Sequence, residues 1–288
     1  MNMSYPLPIS ERSAAATRKG DGEAAASDRR AFEPAPAARP AAQTLLGDDD
    51  SDLAMRDPWW SLREIKPETR TDRKTGKRLP LVDYHRDHPA SRAFDLLRTQ
   101  LVRSLEQNGW NRVAIAAPTT GCGSTFTAVN LALSLGRVPG TRTVLMDLDQ
   151  RAPGVADTLG IGGTHDMGAY LSGVVPMQRH LHRIGETLAL GLNTQLNRNA
   201  SEQMHDSVSG MMLDEMQDAL DPDVVLYDLP AMLEYDDLAA FLPQVDGVLL
   251  VADGTRTSPR QIAECERLLS EQTRLLGVIL NRGRASTG

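Results

Sequence analysis

The sequence predicts a three-layer α/β fold, a mostly parallel sheet with helices on both faces. Three observations predict it. Short, continuously apolar runs recur from residue 113 onward, helical patterns separate them, and the first run passes through a glycine-bearing turn straight into a helix. The elements follow in order. In ASRAFDLLRTQLVRSLEQ, just after Pro89, the apolar residues Phe94, Leu97, Leu101 and Leu105 fall at helical spacing, and Asn111 permits a turn into the strand VAIAA. A helix is expected from about Thr125 to Leu135. Strands then read as TVLMD (Thr143 to Asp147), VVLYD (Val224 to Asp228) and GVLLVAD (Gly247 to Asp253), before a helix from Pro259 to Ser270 and a last strand, LLGVILN (Leu275 to Asn281). The methionines of MHDSVSGMMLDEM recur at nearly helical spacing and read as core packing.

The 288 residues carry a net charge of -7, which suits one α/β domain with an appendage and argues against a nucleic-acid partner bound through a basic stripe. The two cysteines, Cys122 and Cys265, lack disulfide or zinc spacing. No apolar run reaches the roughly 20 residues of a membrane span, and the N-terminus lacks a secretory pattern, so a cytoplasmic chain is expected. Residues 1–80, rich in Ala, Pro, Ser, Arg and Asp without period, read as a disordered tail ahead of a domain over 81–288. Within that tail Trp59 and Trp60 are adjacent aromatics that either anchor a partner or fold back on their own domain.

Chemistry concentrates at the strand ends, where ligands of such sheets bind. After VAIAA, the turn PTTGCGST places Gly121 and Gly123 ahead of a helix, so that backbone N–H groups can converge on an anion. The strict phosphate-loop pattern fails here, because Pro118 stands for its first glycine and Ser124 for its lysine. VLMDLDQRAP then ends a strand with Asp147 and Asp149 followed by Arg151, and VVLYDLPA ends another with Asp228. Each aspartate alone reads as a turn or cap residue. Together, beside a glycine loop, they suit a magnesium ion and a polarised attacking group.

From about Ala90 to Arg282, two thirds of the chain, the series FDLLRTQL, PTTGCGSTFTAVNLALSLG, DLDQRAP, GAYLSG, VVLYDLPA, QVDGVLLVADG and LLGVILNR resembles the bacterial tyrosine kinases of capsule and exopolysaccharide synthesis, relatives of the MinD and ParA ATPases. The resemblance implies a P-loop NTPase fold that binds ATP or ADP with Mg²⁺. It places Gly121, Cys122, Gly123, Ser124, Thr125 and Phe126 in the phosphate-binding loop, with the Thr125 hydroxyl on the metal. It matches Asp147, Asp149 and Arg151 to the family's Asp-x-Asp-x-Arg motif, serving metal, water shell and incoming tyrosine. Asp228 matches the Walker B aspartate, making Thr125, Asp147 and Asp228 the metal residues, and Asn281 the adenine contact.

Three departures qualify that picture. Ser124 cannot supply the lysine's charge, so weak or absent phosphotransfer with some retained nucleotide binding is expected. After Asn281 the chain reads RGRASTG, without the tyrosine cluster that relatives use as acceptor, which leaves Tyr5 and Tyr84 as unusual candidates. Where relatives carry Glu-x-x-Arg-x-x-Arg for ring packing, this helix has Arg92, Asp95 and Arg98, either a solvated face or a reversed pairing in a homo-oligomer. Cys122 reads as a small residue in a tight loop or a reactive thiol at a helix start, and His180 and His182 as a solvated surface rather than metal ligands. The function expected is an ATP-binding kinase-like protein of polysaccharide export, reaching the inner membrane through a separate membrane co-polymerase. The alternatives are a pseudokinase scaffold and a MinD/ParA-like positioning ATPase.

Overall fold

The computed structural model describes residues 2–3, 57–68, 81–82 and 89–283. The expected tail over 1–80 lies mostly outside the described residues, as do Tyr5, Tyr84 and residues 284–288. The strands are β1 (Asn2–Met3), β2 (Arg63–Glu64), β3 (Arg112–Ala116), β4 (Thr143–Asp147), β5 (Leu181–Ile184), β6 (Leu188–Gly191), β7 (Val224–Asp228), β8 (Gly247–Asp253) and β9 (Arg274–Asn281). They form one sheet in the order β1-β9-β8-β3-β7-β4-β6-β5-β2. Strands β9, β8, β3, β7, β4 and β6 run parallel, whereas β5 is antiparallel to β6 and β1 to β9.

The central strands β3, β4, β7 and β8 are apolar apart from their end residues because both of their faces are covered. Successive side chains point to opposite faces. Thus Met146 and Tyr227 enter one core with Tyr170, Met216 and Phe241, while Leu145 and Leu226 enter the other with Phe94, Leu101 and Leu131. The second core is roofed by α1 (Pro89–Asn108) and α2 (Ser124–Leu135). Short helices α3 (Val155–Leu159), α4 (Met167–Leu171), α5 (Met177–His180) and α6 (Ala200–His205) follow, then α7 (Ser207–Leu220), α8 (Asp237–Phe241) and α9 (Pro259–Ser270).

The strands and helices expected from periodicity are present within a residue, and β5 and β6 are additional. Both are four residues long, too short for a period to register. The methionine-rich stretch is two helices rather than one. The Asp206 side chain accepts the Val208 N–H at 2.9 Å and starts α7 afresh, so Met204 and Met216 are buried while Met211 faces out. On α1, Asp95 bonds Arg98 and Arg137, and Arg98 also donates to the Ser134 carbonyl of α2 at 2.9 Å, so two of the three charges are paired inside the chain while Arg92 stays exposed.

His180 and His182 are buried rather than solvated, because β5 is covered by α4 and by residues 57–68. The His180 ring stacks on Tyr170 at 4.8 Å, and burial, with His165 and His182 nearby, pushes its pKa down to about 4.

The double-tryptophan segment folds back on its own domain. Trp59 is fully buried in the first core beneath the Arg142 guanidinium, 5.1 Å from its ring, and Asp57 pairs with the same arginine. Trp60 stays at the surface under Arg183. Beyond β2 the strap is tied twice more. Ile65 N–H donates to the Arg183 carbonyl and Glu68 N–H to that of Leu159, both at 2.9 Å. Val82 N–H donates to the buried Asn130 side chain of α2, also at 2.9 Å.

Candidate functional site

The parallel register of β7 with both neighbours builds the site. Asp228 stands opposite Asp147 on β4 and opposite Ile115 on β3, so the ends of three strands meet where the 117–123 turn leaves the sheet. Gly121 and Gly123 adopt φ of 85° and 97°, the left-handed region, which turns successive backbone N–H groups toward one concavity. A Cβ at Gly123 would collide with Asn281.

The outer side of this turn is braced from β9. Asn281 donates to the Cys122 carbonyl at 2.8 Å, and Arg282 donates to the Gly121 carbonyl at 3.0 Å and to Asp253 at 2.6 Å. Asp253 is held at about 2, chiefly by the Thr255 hydroxyl and then by Arg282. Asn281, expected as a base contact, is therefore engaged beneath the loop, its Oδ1 accepting the Arg282 N–H at 3.0 Å. On the opposite rim the Glu234 carboxylate accepts both the Thr120 N–H (2.9 Å) and its hydroxyl (2.6 Å).

Asp147 and Asp228 are fully buried. Asp147 Oδ2 accepts from Gly154 and Val155 N–H at 3.2 and 3.0 Å, at the start of α3. Its Oδ1 and both oxygens of Asp228 have no hydrogen-bond partner. Burial, with the Asp149 charge adding to it, lifts Asp147 to about 8, and burial beside Asp147 lifts Asp228 well above the carboxylate range. The nearby Thr125 hydroxyl opposes the rise at Asp228. Asp149 is raised too, by burial first, while its Oδ1 accepts from Arg151 and Ala152 N–H at 3.1 and 2.9 Å.

Three orphaned carboxylate oxygens in a buried place call for a cation. Among the described residues no three acidic, histidine or cysteine side chains converge to hold a metal alone, so an ion here would complete its shell with Thr125, water or phosphate oxygens. Ser124 opens α2 with a neutral hydroxyl. Cys122 is buried, its Sγ 3.5 Å from the Thr119 and Thr257 hydroxyls, which suits a small residue in a tight loop. The Phe126 ring packs edge-on against Phe94. Arg151 does not point freely into the site. Its Nε lies 3.2 Å from both oxygens of the buried Asp237, and its Nη1 donates to the Arg198 carbonyl at 2.6 Å.

No protein-family model matches the chain. The kinase domain of Escherichia coli tyrosine kinase ETK superposes with a TM-score of 0.66 at 23% identity, covering 79% of this chain and 92% of that domain. The fold is that of a bacterial tyrosine-kinase domain. A MinD cell-division protein of Pyrococcus horikoshii, solved with Mg-ADP, superposes more distantly, with a TM-score of 0.50 at 18% identity over 61% of this chain and 72% of that one. Among curated proteins, EpsB of Ralstonia solanacearum, named as a tyrosine-protein kinase, is 28% identical over 73% of this chain and 28% of its own. The succinoglycan biosynthesis transport protein ExoP of Rhizobium meliloti is 29% identical over 59% of this chain and 22% of its own. This chain thus spans about a quarter of the length of the curated relatives it matches.

The structure brings together Gly121, Gly123, Thr125, Asp147, Asp149 and Asp228 as the sequence proposes. Glu234, Tyr235, Asp237 and Arg282 escape the sequence reading. The cue available for three of them was the acidic run EYDD just after the VVLYDLPA strand.

Proposed function

We propose that this chain is an ATP- and Mg²⁺-binding, kinase-like component of exopolysaccharide or capsule synthesis, with phosphotransfer impaired at Ser124. The observation that carries the reading is the register that sets Asp147 beside Asp228 with three unpartnered oxygens at the mouth of a glycine-turned loop. The backbone of residues 121–126 would receive the phosphates, and Thr125, Asp147 and Asp228 would hold the cation. That cation, when bound, neutralises charge developing on the transferred phosphoryl group. Asp149 accepts the proton of the incoming hydroxyl, and Asp237 keeps Arg151 at the edge of the site. What the loop lacks is a side-chain cation at 124, and a missing preorganised donor costs roughly 10²–10³ in rate.

The polysaccharide setting is taken from the relatives, one of them named for succinoglycan biosynthesis and transport. In this reading the chain lies on the cytoplasmic side and meets the membrane through a separate co-polymerase. Among the described residues no helix is long and apolar enough to cross a membrane. Ser124 favours one second reading, a scaffold that binds nucleotide without turning it over.

The test is calorimetry with Mg-ATP on this protein and on Ser124→Lys, followed by phosphotyrosine assay with a candidate co-polymerase. The expected result is weak binding that tightens in Ser124→Lys, with phosphotransfer appearing in that variant. Binding by neither protein rejects the nucleotide site, and rapid turnover by the parent rejects the impairment.

A further inference from the structure

Resting on the nucleotide reading above, we propose that Arg256 is the phosphate-binding cation of this site, reaching in from the turn after β8 to supply the charge that Ser124 does not. The guanidinium already stands at the loop. A Cβ at Gly121 would lie 3.5 Å from Arg256 Nη1, and the glycine leaves that space open. Arg256 is exposed, and among the described residues its side chain makes no hydrogen bond or ion pair.

The turn that carries Arg256 is fixed from several directions. Asp253, at the end of β8, is fully buried, and its Oδ1 accepts the Thr255 N–H and hydroxyl at 2.8 and 2.7 Å. Its carbonyl accepts the Arg256 and Thr257 N–H at 3.1 and 2.8 Å, and its own N–H donates to the Thr257 hydroxyl at 2.9 Å. Gly254 N–H donates to the Asn281 carbonyl at 2.7 Å, and Thr257 Oγ1 lies 3.5 Å from the Cys122 Sγ of the loop. The backbone at 256 is thus tied to β9 and to the phosphate loop, and only the side chain remains to be ordered by a ligand.

Arg151 and Arg282, the guanidiniums described above, are committed elsewhere. Arg151 is held by Asp237 and the Arg198 carbonyl, and its guanidinium lies over the Tyr235 ring, 5.4 Å from the ring centre. Arg282 is neutralised by the buried Asp253 and donates to the Gly121 carbonyl. Arg256 keeps its charge uncompensated, and an arginine fork can take two phosphate oxygens at once. It approaches beside Gly121 rather than from the start of α2, so it holds the phosphate chain without replacing a lysine at 124 in the transfer step.

A solvated surface arginine would show the same exposure, and position 124 separates the two roles. Mg-ATP affinity is measured by calorimetry for the parent, Arg256→Gln, Ser124→Lys and Ser124→Lys/Arg256→Gln. Arg267→Gln, which removes an arginine paired with Glu264 on the exposed face of α9, serves as a surface control. The expected result is a loss of about 10–100-fold on Arg256→Gln in the parent, and a much smaller loss on the same change in Ser124→Lys, where the lysine already meets the phosphates. Arg267→Gln is expected to bind as the parent does. Equal losses in both backgrounds overturn the proposal, because a contact to base or ribose, or a brace on the loop, does not depend on position 124. Unchanged affinity in Arg256→Gln overturns it, as does an equal loss in Arg267→Gln or binding by the Ser124→Lys proteins alone. In each of those cases the nucleotide reading stands, whereas absence of Mg-ATP binding in every protein overturns both.

Discussion

Gly123 and Ser124 are neighbours with opposite tolerances. Position 124 opens α2 and is only partly buried, whereas Gly123 combines a left-handed backbone with contact from Asn281. Gly123→Ala is expected to abolish Mg-ATP binding by calorimetry while the protein still melts cooperatively, because the strain falls on a surface turn. Asn281→Ala is expected to weaken nucleotide binding through the loop it braces. A loss no larger than that of an exposed-surface substitution would show that the Cys122 carbonyl contact does not hold the loop. The loop glycines and the aspartates at strand ends were legible because each sits at a fixed offset from an apolar run. Glu234, Tyr235 and Asp237 were not, because a turn, not a motif, carries them back over the loop, and nothing local marks where such a turn points. His180 and His182 misread for a similar reason: polar flanks suggest solvent, but the covering strand comes from over a hundred residues earlier in the chain.

At the scale of elements the strap over 57–68 docks through one large, fully buried side chain, Trp59. A fully buried tryptophan truncated to alanine costs about 3–5 kcal/mol, so Trp59→Ala is expected to lower the denaturation midpoint sharply. Trp60→Ala, which removes only a surface ring over Arg183, should shift it little. Equal shifts would mean that the strap does not dock through Trp59. Covering β5 also closes a sheet edge that would otherwise present unpaired N–H and C=O groups. The pattern that identified β3, β4, β7, β8 and β9 is the apolar run, which in all but the half-buried β9 belongs to a strand buried on both faces. The short strands β2 and β5, two and four residues long, have no such run and take their place from tertiary pairing.

For the molecule as a whole, the carboxylate site sets how stability responds to pH. Asp147 rises from 3.8 to about 8 on folding and Asp228 rises as well, so the folded protein holds protons that the unfolded chain has released. Their neutral forms are favoured in the fold, and that contribution is complete below the unfolded value and is lost as pH rises through about 8. The metal-free protein is therefore expected to lose thermal stability between roughly pH 4 and 8, and Asp147→Asn to flatten that loss. Mg²⁺ with nucleotide should stabilise more at pH 8 than at pH 6, because the cation needs the ionised carboxylates. A pH-independent gain would place the ion elsewhere. The strap has a mechanical consequence as well. Tension applied at Asp57 would meet the Asp57–Arg142 pair and the seated Trp59 before it reached Leu159 or Asn130, which puts the strap's anchors ahead of the contacts that join it to the loop's own helix.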